Sequence, residues 1–414
     1  MVFYSTIQLL IEEGYIQLEN YFLDGTKIEA NANRYTFVWK KNVDRYKTNL
    51  QTKIQDLLDE IDEVEKEEMN LYQGNDLEEL GENRQVSTKQ LDETISYLEQ
   101  RLEKEPENKS LKKAVKKIRS DYLPRLERYE DQQSVFQGRN SFSKTDHDAT
   151  FMRTKDDHYQ NGQLKPCYNL QVGTENQFIV GYSVHQRPGD TKCMSPHLDQ
   201  LNSNLGKLPK SIIADAGYGS EENYAYLETN ARKAYVKFNT FHREQSKKWK
   251  NDISKVENWS YDEQKDEFIC ANNRRLTFQY ETTEETETGY EITKRNYKCS
   301  DCDGCPLREQ CTKSATGRTV SISPKLLAYK QQARDLLWGE EGRKLSIQRS
   351  VEIESVFGHL KENRAFRRFL LRGLPKVSVE VGLLSLAHNL IKKAAVCVRQ
   401  SLDKSMDKTF PLSA

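Results

Sequence analysis

The chain has 414 residues, enough for two or three domains, and its 63 lysines and arginines are balanced by 63 aspartates and glutamates. The overall charge therefore gives no support to nucleic-acid binding. No stretch reaches the apolar length of a membrane span, and the N-terminus lacks the basic start of a signal peptide. We therefore expect a cytoplasmic protein with no membrane contact, whose eight cysteines are reduced.

The neutral total conceals two charged regions. Residues 54–82 contain twelve acidic residues and one basic residue, whereas residues 343–376 contain nine basic residues and three acidic ones. Local patches of this kind steer charged partners even when the whole chain is neutral. The second region is therefore a candidate surface for a polyanion.

The first element is predicted from the aromatic and β-branched residues that run from Tyr15 to Leu23, which are typical of a strand. Asp24 follows, and Gly25-Thr26 is expected to end the strand there. A carboxylate at the carboxyl end of a strand is where α/β folds place catalytic groups. A turn-forming aspartate is the simpler explanation for this residue alone.

Residues 40–129 have apolar positions at helical spacing with charges between them, interrupted around Gly74–Gly81. This pattern predicts two long helices packed as an antiparallel coiled-coil hairpin. A solvated, charged linker is the alternative. In both cases the segment is an insertion.

The chain then changes to strand-like patterns. A hairpin is predicted from 168–172 and 177–184, followed by a helix near 195–205 and a strand that ends at Asp215. A helix over 221–232 and a strand over 234–238 come next. This order of elements predicts an α/β fold with a mixed sheet.

A third carboxylate is predicted from helix geometry over 346–363. At about 100° per residue, Glu354 falls among Ile347, Val351, Ile353, Phe357 and Leu360, while Glu352 falls on the opposite side. A charged residue aimed at the core is costly unless it is paired or bound to a metal. Glu354 is thus the functional candidate, with a buried ion pair to Lys361 as the alternative. Two aspartates and one glutamate suit a site for two Mg²⁺ ions.

Three segments carry a resemblance to a known family: Asp24–Asn33, Ala214–Tyr218 and Glu354–Lys361. They are similar to the three acidic motifs of DDE transposases, above all those of bacterial insertion sequences. The resemblance extends to Ser143–Ala149 and Phe369–Gly373. It implies a ribonuclease-H-like core that cuts and joins DNA, with Asp24, Asp215 and Glu354 as the catalytic, metal-binding triad.

The resemblance also implies partners and a location. These are the terminal inverted repeats of the element and target DNA, a homo-oligomer (a dimer), Mg²⁺ or Mn²⁺ as cofactor, and a nucleoid-associated place in the bacterial cytoplasm. Lys361 corresponds to the family's lysine seven residues after the glutamate, which contacts DNA. Arg364, Arg367, Arg368 and Arg372 follow it and suit phosphate binding, unless they form a merely solvated basic face.

Two features depart from the family pattern. Related transposases often carry an arginine four residues before the glutamate, where this chain has Ser350, and Arg349 comes one residue earlier. Only 23 residues precede Asp24, whereas related proteins usually carry a helical N-terminal region. We therefore expect an N-terminally truncated chain.

The densest cysteine cluster comprises Cys299, Cys302, Cys305 and Cys311, with Cys270 upstream as a possible substitute ligand. Four thiolates at short spacing can close a tetrahedral Zn²⁺ site, and reduced structural cysteines are the alternative. The runs Asp146-His147-Asp148 and Asp156-Asp157-His158 are not expected to bind metal.

These expectations divide the chain into five parts. Residues 1–39 hold the first strands of the ribonuclease-H-like core, 40–135 the coiled-coil hairpin, 136–240 the rest of the sheet, 241–320 the cysteine-rich insertion, and 321–414 the C-terminal helices of the core. The predicted function is Mg²⁺-dependent DNA cleavage and 3′-OH strand transfer, with a basic C-terminal helix on the DNA. The rivals are a truncated remnant that binds DNA or inhibits through its coiled coil, and a zinc-bearing interaction module.

Overall fold

The computed structural model describes residues 2–71, 86–154 and 162–409. The predicted break at Gly74–Gly81 and the Asp156-Asp157-His158 run lie outside these residues. The described chain forms two compact units. The first comprises Met1–Ile28, Asn169–Phe369 and Pro375–Ala414, and the second comprises Glu29–Tyr168 and Leu370–Leu374.

Thirteen strands are found in the described residues. They are β1 Asn20–Glu29, β2 Phe37–Trp39, β3 Ser141–Ser143, β4 Thr150–Arg153, β5 Leu164–Glu175, β6 Phe178–His185, β7 Ser211–Ala214, β8 Lys233–Val236, β9 Ser260–Asp262, β10 Glu267–Ile269, β11 Arg275–Glu285, β12 Glu291–Cys299 and β13 Thr319–Ile322.

The α-helices of the same residues also number thirteen, and short 3₁₀ and π turns adjoin several of them. They are α1 Val2–Glu12, α2 Lys40–Leu71, α3 Thr88–Lys104, α4 Lys109–Lys117, α5 Leu123–Phe136, α6 Met194–Leu205, α7 Glu221–Thr229, α8 Lys247–Lys250, α9 Arg308–Cys311, α10 Pro324–Trp338, α11 Glu340–Arg349, α12 Ser355–Gly358 and α13 Leu374–Thr409.

The first unit contains a mixed sheet in the order β6-β5-β1-β7-β8. The predicted hairpin is confirmed as β5 and β6, which are antiparallel. Its loop is shorter than expected, because Asn176 and Gln177 both have positive φ and form a two-residue turn of the kind that suits strand twist. The mixed α/β fold is compatible with a ribonuclease-H-like core.

The first strand differs from the prediction at both ends. It begins at Asn20 rather than Tyr15, and it continues past Gly25-Thr26 to Glu29. The continuation has a physical reason, since β1 lies between β7 and the long strand β5 in the sheet. Its register with β7 ends at Leu23, while β5 remains as a neighbour. Asp24 therefore follows the last residue paired with β7 but lies within a strand.

The last helix corrects our expectation about membrane spans. Residues Leu374–Ser401 of α13 are long and apolar enough to cross a membrane by length and composition alone. The helix also carries the buried polar residues Ser385, His388 and Asn389. Asn389 exchanges hydrogen bonds with the backbone of Ile179 in β6, at 2.8 and 2.7 Å. These contacts dock part of α13 on the sheet, and 28% of its most apolar window is buried.

The cysteine-bearing region of the first unit folds around a second, antiparallel sheet in the order β13-β12-β11-β10-β9. A small core of Phe268, Leu276, Tyr297, Cys299 and Val320 lies within it. The sequence predicted an interruption of the catalytic core here. Whether it is a separate insertion stays a prediction.

The second unit contains the helices α2 to α5. Apolar residues that predicted the helical seam, among them Ile54, Leu91, Ile95 and Leu98, pack into one buried cluster, which Leu50 joins. Between α4 and α5 the helix widens into a π turn over Ile118–Tyr122. Pro124 explains the local change, because it has no amide hydrogen to donate one turn back. The coiled-coil geometry itself stays a prediction.

Candidate active site

Asp24 and Asp215 occupy equivalent places on two neighbouring parallel strands. The last register pair of β1 and β7 is Leu23 with Ala214, and one aspartate follows each. The two aspartates are therefore neighbours at one edge of the sheet. On the other side of β7, strand β8 is also parallel and ends at the same level, so Lys237 comes next there. Three adjacent strands thus place two carboxylates and one amine in a row.

Each aspartate uses its two oxygens differently. Asp24 Oδ1 accepts a hydrogen bond from the Gly25 backbone amide at 2.8 Å, and Asp215 Oδ1 accepts one from Gly217 at 2.8 Å. The Oδ2 atoms both face Arg349, whose Nη2 lies 3.0 Å from Asp24 Oδ2 and 3.6 Å from Asp215 Oδ2. Two anionic oxygens therefore converge on a single cationic nitrogen.

The charge state of Asp24 reflects a crowded, partly dry site. The pKa of Asp24 is raised to about 6, mainly by burial, and this net shift includes the lowering effects of Arg349 and the Gly25 amide and the raising effects of the Asp215 and Asp190 carboxylates. Burial and Arg349 lower the pKa of Lys237, while Asp215 opposes that shift. The site thus has more negative charge than its one bound guanidinium neutralises.

Asp190 is a third aspartate at this edge that the sequence analysis missed. Its Oδ1 accepts hydrogen bonds from the side-chain amides of Asn169 and Gln171 at 2.8 and 2.9 Å. The Oε1 atom of Gln171 in turn accepts from the hydroxyl of Tyr218, two positions before the helix cap Ser220. A carboxylate in a loop with no helical or strand period gives no sequence signal, so only the fold reveals it.

A row of buried, hydrogen-bonded side chains contacts β1 through Tyr21. Tyr21 hydroxyl lies 2.6 Å from His197 Nε2, and Ser183 Oγ lies 2.7 Å from both His197 Nδ1 and His185 Nε2. Burial lowers the pKa of His197 to about 3 and that of His185 to about 4, so both rings are neutral at pH 7. This row therefore anchors β1 through hydrogen bonds rather than through charge.

The expected orientation of the two glutamates is reversed. Glu352 is buried, its side chain accepting hydrogen bonds from the Gln177 backbone amide at 2.6 Å and from Gln348 at 3.2 Å. Glu354 is exposed, as are Ile347 and Val351. Glu354 does share a face with Ile347 and Val351, but this face is exposed and is not part of the core. Ser350–Glu354 and His359–Asn363 are moreover π-helical turns, in which each residue advances by less than in an α-helix.

The same π turn affects the spacing between Arg349 and Glu354. A π turn joins residue i to residue i+5, so it places a fifth residue one turn beyond the first. Arg349 immediately precedes the turn and Glu354 ends it. The structure does not bring Glu354 into contact with either aspartate, but the widened turn brings it round toward the side from which Arg349 reaches them. π turns of this kind are frequent at functional sites.

The predicted basic helix is a connecting segment for most of its length. Lys361 lies in the π turn that ends at Asn363, and Arg364, Arg367, Arg368 and Arg372 follow it outside any helix. The helix ends there because Ala365 adopts a positive φ of 52°. Arg367 pairs with Glu362, and in the second unit Arg372 donates to the Asn31 carbonyl oxygen at 2.7 Å.

Five cysteines come together in the antiparallel region. Cys270, Cys299, Cys302, Cys305 and Cys311 line one cavity of about 20 Å³, the room of a single small ion or water molecule. Cys302 Sγ accepts from the Arg318 backbone amide and Cys305 Sγ from the Asn272 side chain, both at 3.4 Å. Burial raises the pKa of Cys299 to about 11, with the neighbouring Cys302 adding to the shift.

The donor atoms fit the metals that the sequence suggested, in part. Carboxylate oxygens of Asp24 and Asp215 that share one cation are the hard ligands that Mg²⁺ prefers. The converging thiols suit Zn²⁺. Within the described ranges, however, no three His, Cys, Asp or Glu side chains are already arranged as a metal-binding group.

Comparison with known proteins gives one match. Residues 269–394 match a family model described as "Transposase DDE domain". This supports a DDE transposase. The matched class cleaves DNA and transfers strands, generally uses divalent metal ions, and binds DNA. No curated protein and no solved structure matches the chain.

The match covers one side of the candidate site. It includes Arg349, Glu354 and Lys361 together with all five cysteines of the cavity, and it ends within α13. Asp24, Asp190 and Asp215 lie outside it. The assignment of Asp24 and Asp215 to the site therefore rests on their geometry and on their own sequence motifs, independently of the matched region.

Proposed function

We propose that the protein is a DDE transposase that cleaves DNA at the ends of an insertion sequence and joins the 3′-OH to target DNA. One observation carries the proposal: Asp24 and Asp215, on adjacent parallel strands, direct their Oδ2 atoms to the same cationic nitrogen of Arg349. The transposase match contains that arginine. An independent sequence match and a convergent carboxylate pair thus meet at one residue.

Asp24, Asp215 and Glu354 are proposed to hold Mg²⁺, or Mn²⁺ in its place. When bound, divalent ions of this kind activate an attacking oxygen and stabilise the leaving oxygen of a phosphodiester. The chain's own contribution is positioning. Backbone amides fix Oδ1 of each aspartate and leave Oδ2 for a cation, and the exposed Glu354 is free to meet the DNA side of the site.

DNA is proposed to bind through basic residues that lie close to Glu354 in the sequence, between positions 349 and 372. The residues are Lys361, Arg349, Arg364, Arg367, Arg368 and Arg372. Arginine suits this task because its planar guanidinium makes paired hydrogen bonds to phosphate oxygens. The partners would be the terminal inverted repeats and target DNA, bound by a homodimer near the bacterial nucleoid in the cytoplasm.

A structural Zn²⁺ is proposed in the cysteine cavity. Cys299, Cys302, Cys305 and Cys311 would supply the thiolates, with Cys270 as the fifth candidate on the same cavity wall. Hydrogen bonds from the Arg318 backbone amide and the Asn272 side chain to two of the sulfurs would orient them as ligands. The small core of this region contains one of the cysteines, Cys299, so the metal would also stabilise the fold.

The test is a cleavage assay with DNA that carries the element end. Wild type should nick the DNA only with Mg²⁺ or Mn²⁺, Asp215→Asn and Glu354→Gln should bind but not cut, and Asp335→Asn, an exposed residue of α10, should behave as wild type. Binding without cutting by wild type would refute the enzymatic proposal in favour of a non-catalytic DNA-binding protein or inhibitor. Equal cutting by Asp215→Asn would refute the site.

A further inference from the structure

Asp190 lies against the glycines that follow the paired aspartates in the sequence. A Cβ atom placed on Gly25, next to Asp24, would meet Asp190 Oδ1 at 2.5 Å. One placed on Gly217, two residues after Asp215, would meet Asp190 Oδ2 at 3.8 Å. The two glycines therefore leave the room in which this carboxylate approaches the site. Only residues without a side chain allow such an approach.

The hydrogen bonds of Asp190 repeat the pattern of the paired aspartates. In all three residues Oδ1 is held by amide donors, which for Asp190 are Asn169 and Gln171. Its Oδ2 has no hydrogen-bond or ion-pair partner among the described residues and points toward Gly217, beside Asp215. An anionic oxygen that is fixed by its other half but left unpaired is available to a cation.

Nearby cations do not neutralise Asp190. Arg187 and Lys192, which flank it in the same loop, both pair with Glu287, at 2.8 and 2.7 Å. Arg349 pairs with Asp24 and Asp215 instead. Lys237 lies on the far side of Asp215 in the strand order. The three carboxylates therefore outnumber the two cations at this edge, Arg349 and Lys237, and a divalent ion would balance the excess of negative charge.

We propose that Asp190 is a further carboxylate of the catalytic site and helps Asp24 and Asp215 to hold the divalent ion. This inference rests on the proposed function and deepens it. The Asn169 and Gln171 amides act as positioning residues, because they fix Oδ1 and so set the direction of Oδ2. A purely structural Asp190 would need only an oxygen that accepts these two hydrogen bonds.

Mn²⁺ binding to the full chain, measured by electron paramagnetic resonance without DNA, separates the two roles. Asp190→Asn keeps a carbonyl oxygen for the two amides but removes the anionic Oδ2. We expect it to bind Mn²⁺ about tenfold or more weakly than wild type, with an unchanged circular dichroism spectrum in EDTA. Asp199→Asn, the same change in the following helix α6, should leave Mn²⁺ affinity unaltered. Wild-type affinity in Asp190→Asn would overturn the proposal.

A measurement on wild type alone guards against misfolding of the variant. Fe²⁺ placed at a Mg²⁺ site with ascorbate and peroxide cuts the backbone beside the metal. Cuts at 189–191 as well as beside Asp24 and Asp215 would support the proposal. Cuts beside the two aspartates but none at 189–191 would refute the role of Asp190 and leave the proposed function intact. If no cut falls at any of the three and wild type binds no Mn²⁺, the metal site of the proposed function fails as well.

Discussion

Replacing Asp24 by asparagine should stabilise the metal-free protein, because burial and neighbouring carboxylates disfavour the ionised form of Asp24. Its pKa is raised from 3.8 to about 6, and each unit corresponds to about 1.4 kcal/mol. The ionised form thus costs the folded state up to about 3 kcal/mol in free energy. The side chain is only 22% exposed, so solvent screens little of this. Asparagine keeps an oxygen for the Gly25 amide and carries no charge.

The direction of the pKa shift of Asp24 fixes the pH range in which Asp24→Asn and wild type should differ in stability. A raised pKa means that the favourable contribution of neutral Asp24 is complete below pH 3.8 and is lost as pH rises through about 6. The stability difference between Asp24→Asn and wild type should therefore be near zero below pH 3.8, grow between 3.8 and 6, and stay constant above. Urea unfolding in EDTA at several pH values measures it.

The control and the metal dependence sharpen this test. Asp335→Asn, on the exposed face of α10, should change the free energy of unfolding by less than about 0.5 kcal/mol at every pH. Saturating Mg²⁺ should stabilise wild type but not Asp24→Asn, because a ligand stabilises only the form that binds it. A variant that is no more stable than wild type in EDTA at pH 7.5 would refute the reasoning.

Three further predictions follow from individual contacts. Arg349→Ala should raise the pKa of Asp24 above 6 in a carbon-13 NMR titration, since Arg349 lowers it now, and Arg349→Lys should raise it less; a lower pKa in Arg349→Ala would contradict the contact. Glu352→Ala should lower the free energy of unfolding by about 1–3 kcal/mol, because the Gln177 amide loses its acceptor. Glu354→Ala should leave the free energy of unfolding unchanged and abolish DNA cleavage. Equal losses of stability in the two variants would count against the assigned orientations. Purified protein should contain about one Zn²⁺ per chain by mass spectrometry, with Cys302→Ser losing it and the exposed Cys397→Ser keeping it; metal-free wild type would exclude the zinc site.

Much of the sheet could be predicted because its signals are local. The β5–β6 hairpin, the helix α6 and the strand before Asp215 each have a period or a turn of their own in the sequence. The end of β1 could not be predicted in this way. Gly25-Thr26 would end an isolated strand, but β5 is a neighbouring strand that supports the chain beyond them. Tertiary pairing overrides a local breaker where a longer neighbour is present.

The missed members of the site share a different cause. Asp190 and Lys237 lie in a loop and just after a short strand, and neither has a motif or a periodic partner in the sequence. Register sets Lys237 beside Asp215, because β7 and β8 end at one level. Asp190 is placed by its hydrogen bonds to Asn169 and Gln171. For the cysteines, the sequence named four by spacing and Cys270 as a possible substitute, and the fold places all five on one cavity wall. Which residues come together at the site is set by contacts between segments distant in the sequence, and local sequence patterns do not show these contacts.

The π turn at Ser350–Glu354 connects the sequence departure with the site. The arginine stands five residues before the glutamate instead of the four expected from the resemblance, and in an α-helix one extra residue would turn the two side chains about 100° further apart. In a π turn the fifth residue completes the turn instead, so the extra residue is absorbed. Arg349 reaches both aspartates from this position. The widened turn therefore brings the side chain of Glu354 closer to the side of the helix that carries Arg349. The identity of the third carboxylate can therefore be tested by comparing DNA cleavage by Glu354→Ala with cleavage by Glu352→Ala, which should still cut.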